Sequence, residues 1–164
     1  MLEQLQQLVE QSAKQQIIEN KAIPDQFNNA AIKEVTTQII SNLKGQVAAG
    51  NMQQVIALFQ SGGGRTIAAN PVVNTMVTSV TASLATRFNL PPQVAQSVAN
   101  NLVPPVINQV IKKANDPRDI DFDLQQMMRS MTGNNSLDIS SMLGQAPKGA
   151  IGNIGNMFGK LFGK

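Results

Sequence analysis

Leu90 to Lys113 reads LPPQVAQSVANNLVPPVINQVIKK and carries more apolar residues at helical spacing than any other run in the chain. Val94, Val98, Leu102, Val106 and Val110 recur every four residues, with Ala95, Ala99, Val103 and Ile107 beside them. A stripe that wide predicts a helix buried on most of its circumference, which the rest of the chain must cover. Pro104-Pro105 falls inside the stripe. Two missing amide donors, and the restricted backbone before each ring, predict a kink or a split there.

Working outward, Leu2, Leu5, Leu8, Val9, Ala13 and Ile17 trace one face of a first helix, which Ile23-Pro24 closes off. A second helix follows through Ala31, Ile32, Val35, Ile39, Ile40, Leu43 and Val47, with Asp25 or Asn28 placed to cap it and Gly50-Asn51 to stop it. Met52 to Phe59 reads as a short helix ended by Gly62-Gly63-Gly64. Asn70-Pro71 is a cap residue followed by Pro at the first helical position, and it opens a helix with Val72, Val73, Met76, Val77, Val80, Leu84 and Phe88 on one face. Phe122 to Met131 forms another short helix before Gly133-Asn134-Asn135, and Asp138 is placed to cap a further turn through Leu143. The fold class expected is all-α, a compact helical domain of six or seven helices.

Shifting the sequence against itself by 67 residues sets Leu5, Val9, Ala13 and Ile17 on Val72, Met76, Val80 and Leu84. The same shift puts Ile23-Pro24 on Leu90-Pro91, Val35 on Leu102 and Leu43 on Val110; five extra residues near Asn115 to Asp119 bring Met52 to Ile56 onto Leu124 to Met128. An internal duplication of a long, long, short helical unit accounts for these matches. Residues 1–64 and 65–146 are then two halves sharing one core, and residues 147–164 are a Gly-rich amphipathic, flexible tail.

The pattern of Leu90-Pro91-Pro92, Leu102-Val103-Pro104 and short helices running into Gly resembles the small uncharacterised bacterial proteins grouped as YidB-like, over about residues 23 to 145. The resemblance implies a helical fold and a bacterial source, and brings no activity with it.

Composition narrows the function. The chain of 164 residues has no Cys and no His, which removes disulfides, thiolate nucleophiles, the usual zinc ligands and the usual base near neutral pH. No signal peptide is legible at Met1-Leu2-Glu3-Gln4, and no apolar run has the length of a membrane span, so a soluble, cytoplasmic protein is expected. Asn and Gln make a weakly charged wet surface. Lys148, Lys160 and Lys164 account for the whole net charge of +3, because residues 1–143 balance ten basic against ten acidic side chains. Glu34→Ala is expected to matter little.

No constellation carries chemistry. Asp119, Asp121 and Asp123 fail the calcium-loop spacing, with Leu124 where Gly is needed and Ser130 where Glu is needed, and are better used at the start of the helix near Phe122. Ser41-Asn42-Leu43-Lys44 has Ser-x-x-Lys spacing without its companion motifs. Gly62-Gly63-Gly64-Arg65-Thr66 lacks the Walker spacing and reads as a flexible connector. Arg65, Arg87, Arg118 and Arg129 are scattered, which argues against nucleic acid. Met127, Met128, Met131 and Met142 are core filling rather than a partner groove. No enzyme activity, cofactor or metal is expected.

The tail stands apart. Gly149, Gly152, Gly155, Gly159 and Gly163 recur at helical spacing among Ile151, Ile154, Phe158, Leu161 and Phe162, with Lys160 and Lys164 adding charge. Those seven apolar and basic residues are the candidate interaction tail. The function expected is a structural or interaction module that binds a protein partner, or itself, through helix faces or this tail; the alternative is association with an anionic membrane surface through the tail. Because Gln145-Ala146-Pro147 reads as a boundary, deleting residues 147–164 should leave the melting temperature nearly unchanged in a thermal scan.

Overall fold

The computed structural model describes residues 2–116, 118–119 and 123–139, among which every regular element is helical. Helix α1 (Leu2–Ala13) continues into a π-helical turn (Lys14–Ile18); α2 (Asn28–Ala48), α3 (Met52–Gln60), α4 (Pro71–Arg87), α5 (Pro92–Ala114) and α6 (Leu124–Thr132) follow. Short 3-10 turns, Asp25–Phe27 and Arg65–Ala69, precede α2 and α4. The all-α expectation holds. Phe122 and the turn from Ser140 to Leu143 lie outside the described residues, as do Met142 and residues 144–164.

One apolar core runs from Leu5 to Ile139 and takes side chains from all six helices. α1 lies against α2 and α5, α4 against the same two helices, α3 against both, and α6 against α2. The two longest helices are therefore the shared floor.

α5 departs from expectation in two ways. It runs unbroken through Pro104-Pro105. The carbonyls those prolines leave without an amide belong to Asn100 and Asn101, both exposed, where water can take the place of the lost bond. Nor is α5 buried on most of its circumference: Ala95, Val98, Ala99, Leu102, Val103, Val106, Ile107, Val110 and Ile111 are buried, while Gln93, Gln96, Ser97, Asn100, Asn101 and Lys112 face solvent. Val94 is only half-buried, so the stripe follows the mixed three- and four-residue spacing of a straight helix.

The π turn solves the same problem in α1. Leu5, Val9, Ala13 and Ile17 are spaced by four, and each such step overshoots one α-helical turn by about 40°. A wider turn, marked by Glu19 N donating to Lys14 O at 2.9 Å, takes the drift back and keeps Ile17 fully buried while Ile18 points out.

Some local signals read from the sequence appear as bonds, while the cap expected from Asp25 or Asn28 does not, since α2 starts with no side-chain cap hydrogen bond. Asn70 Oδ1 accepts from Val72 N at 2.9 Å with Pro71 at the first position of α4. The threonines of α4 are weak helix formers, and Thr75, Thr78, Thr81 and Thr86 each donate to the carbonyl four residues back. Gly62-Gly63-Gly64 is a built turn rather than a loose connector: all three have positive φ, Gly64 N donates to Asn108 Oδ1 at 3.3 Å, and a Cβ on Gly63 would collide with that same oxygen.

Val98 is buried and makes no room for charge. Val98→Asp should therefore destabilise the fold by about 3–5 kcal/mol, the scale of an uncompensated buried charge, and chemical denaturation would show the loss in the midpoint.

Candidate interaction surfaces

Two features stand out among the described residues: a polar seam between α2 and α4, and an apolar end where those helices meet their connections.

Along the seam, Glu34, Gln38 and Asn42 step down α2 by one turn each and face Arg87, Ser83 and Ser79 stepping up α4. The order fixes the helices as antiparallel. Ser83 Oγ donates to Glu34 Oε1, Gln38 Nε2 donates to the same oxygen at 2.9 Å, and Arg87 Nη1 pairs with Glu34 Oε2 at 3.2 Å. Further along, Ser79 Oγ donates to Asn42 Oδ1 at 3.2 Å, and Asn42 Nδ2 donates to the carbonyl of Gln38 at 2.8 Å. Glu34 is only 8% exposed, which argues against the expectation that Glu34→Ala matters little. Burial pushes its carboxyl up, but the bonds from Ser83 and Gln38 and the Arg87 guanidinium together outweigh this and hold it below the ordinary glutamate range. Such a carboxylate is a weak base with both oxygens occupied.

At the apolar end, Phe27 and Phe88 meet edge to face, with ring centroids 6.0 Å apart and planes at 63°. Phe27 is 39% exposed and Ile18, at the end of the π turn, 44%. Pro24, Pro91 and Pro92 of the same two connections are exposed as well. Every other large apolar side chain described is at least partly covered.

The residues singled out by motif do not converge. Ser41 and Lys44 are both exposed on the surface of α2. Asp119 Oδ2 pairs with Lys113 Nζ at 2.9 Å, Asp116 is held low by the Arg118 backbone amide and guanidinium, and Asp123 caps α6 by accepting from Gln126 N at 2.9 Å. Capping was expected of this cluster, and Asp123 performs it; Asp121 lies outside the described residues. Among those residues no three potential ligands gather to hold a metal ion, and no helix is long and apolar enough to cross a membrane. Met127, Met128 and Met131 are buried in the core. The candidate tail residues Ile151, Ile154, Phe158, Lys160, Leu161, Phe162 and Lys164 lie outside the described residues. The seam is not legible in the sequence because its signal is a pairing, small Ser83 and Ser79 on one helix opposite Glu34, Gln38 and Asn42 on another, with no trace in the periodicity of either.

Compared with known proteins, the chain matches no family model, no curated protein and no solved structure.

Glu34→Ala should leave Ser83 and Arg87 without their acceptor and destabilise the fold by about 1–3 kcal/mol at neutral pH. Since the folded carboxyl titrates below its unfolded value, its contribution is complete above the ordinary glutamate range and is lost as pH falls through the lowered folded value. Thermal melts of the wild type and Glu34→Ala should therefore converge in acid.

Proposed function

We propose that the chain is a non-catalytic helical interaction module that binds a protein partner through the exposed Phe27, with Phe88 against it, and the exposed Ile18. The observation that carries this reading is the exposure of Phe27 and Ile18, the other large apolar side chains among the described residues being at least partly covered. A partly open aromatic pair beside exposed prolines is the composition of a binding hot spot, where rigid rings contribute contact area at small entropic cost. The chemistry of the seam supports a non-enzymatic role, because its one buried carboxylate is engaged on both oxygens. A cytoplasmic setting and a bacterial source belong to the same proposal.

The module reads as two similar units. A shift of 67 residues carries Pro24 (φ −57°, ψ 140°) onto Pro91 (φ −54°, ψ 136°). The bond that follows each is also alike, Phe27 N to Pro24 O at 2.8 Å and Val94 N to Pro91 O at 2.9 Å. Buried residues fall on buried residues along the register, Val9 on Met76, Ala13 on Val80, Val35 on Leu102 and Leu43 on Val110.

The second reading, peripheral association with an anionic membrane through the tail, rests on the concentration of the net charge at Lys148, Lys160 and Lys164 beside Phe158, Leu161 and Phe162. One set of measurements separates the two. Ile18→Ser/Phe27→Ser should abolish capture of the partner that wild type retains from native lysate, while deletion of residues 147–164 leaves capture intact. Liposome co-sedimentation that is salt-sensitive and disappears with the tail, together with partner capture indifferent to Phe27, would favour the membrane reading and overturn the first.

A further inference from the structure

Arg87 belongs to the seam and, through the residue after it, to the aromatic pair. Its Nη1 holds Glu34 Oε2 at 3.2 Å, yet its side chain is 66% exposed while that of Glu34 is 9% exposed. A guanidinium carries its N–H donors in a rigid planar fork, and among the described residues Glu34 is the one partner this fork has. The carboxylate is itself held, because Ser83 and Gln38 occupy Oε1. A buried glutamate therefore fixes the arginine by one corner and leaves the rest of the fork in water, already oriented.

Phe88 follows at once, and Asn89 after it takes a positive φ of 52°, a left-handed turn that asparagine tolerates and that bends the chain away behind the ring. The ring packs on Phe27. On α2, Phe27 stands seven residues before Glu34. Seven residues are nearly two whole turns, so both lie on the side of α2 that faces α4, about 10 Å apart along the axis. An exposed aromatic ring and a held guanidinium thus share one edge of the molecule. The other charges on that edge are graded: exposed Lys33 adjoins Glu34, and exposed Asp25 precedes Phe27 by two residues. Cations lie toward the seam, and an acid lies toward the rings.

We propose that this edge selects an acidic protein segment, one that seats a bulky apolar side chain on Phe27 and Phe88 and bonds a carboxylate to the free donors of Arg87. The inference rests on the reading of Phe27 as a contact residue and adds the chemistry of what it contacts. A carboxylate meeting an arginine already held in place makes charge-assisted bonds without ordering a loose side chain, and it need not displace Glu34 to do so. In extended chain, about three residues span the distance from the rings to the fork. Asp25 repels the same segment laid the other way round, so the charges also set its direction. A segment with no acid covers the fork and leaves donors without acceptors, a penalty that discriminates against it.

The probe is a library of random dodecapeptides displayed on phage, selected on the full-length protein at physiological salt and counter-screened on Phe27→Ser, whose exposed position spares the core. Retained peptides are synthesised and titrated by calorimetry. Exchanging the peptide's acid for its amide should weaken binding to the wild type about tenfold, the scale of one hydrogen bond to a charged group, and should change nothing on Arg87→Gln, which binds the acidic peptide about tenfold more weakly from the start. The first of these changes lies in the peptide and leaves the protein's fold untouched. Arg87→Lys, which keeps a cation for Glu34 but loses the fork, should fall between. Retained peptides that carry no acid, or that bind Arg87→Gln as tightly as the wild type, overturn this proposal and leave the Phe27 reading standing. A selection in which no peptide depends on Phe27 removes that reading, and this one with it.

Discussion

The nine buried side chains of α5 are the constraint on which the rest of the structure depends. Each buried Val, Leu or Ile is worth about 1.5–3 kcal/mol relative to leaving it in water, so no arrangement that leaves this face open is stable. α4 covers one flank, reached through the short connection Phe88 to Pro91, and α1 covers the other. α2 has the same need, with Ala31, Ile32, Val35, Ile39, Ile40, Leu43 and Val47 buried, and it uses the same two covering helices. Two stripes sharing two covers yield one core rather than two domains.

The α2–α4 seam shows how a weakly charged protein still specifies register. Small side chains at Ser79 and Ser83 let α4 approach α2, and the polar groups that face each other there satisfy one another. A slide of one turn would leave Glu34 without Ser83 and Arg87, with the desolvation penalty of a buried charge to bear. Apolar stripes tolerate such a slide far better. The seam therefore sets alignment while the core supplies most of the stability.

The two short helices divide differently. α3 is fixed by Asn108 and Asn115 and by a turn of three glycines with positive φ. α6 rests on methionines, which adapt to irregular space and specify position poorly.

Much of the fold was legible in the sequence. The stripes of α1, α2, α4 and α5, the Asn70-Pro71 start, the Asp123 cap and the glycine stops are local signals, written in spacing and in residues whose chemistry acts within a few positions. Three things were decided by the tertiary structure. The continuity of α5 through Pro104-Pro105 depends on Asn100 and Asn101 facing water, which only packing determines. The π turn after Ala13 depends on where Ile17 must point. The burial of Glu34 depends on Ser83 and Arg87, 49 and 53 residues away along the chain, so periodicity within α2 could only place it on a flank. The exposed end is of the same kind: Phe27 and Phe88 look like core residues in their own stretches, and they come together, half open, only when two distant connections meet.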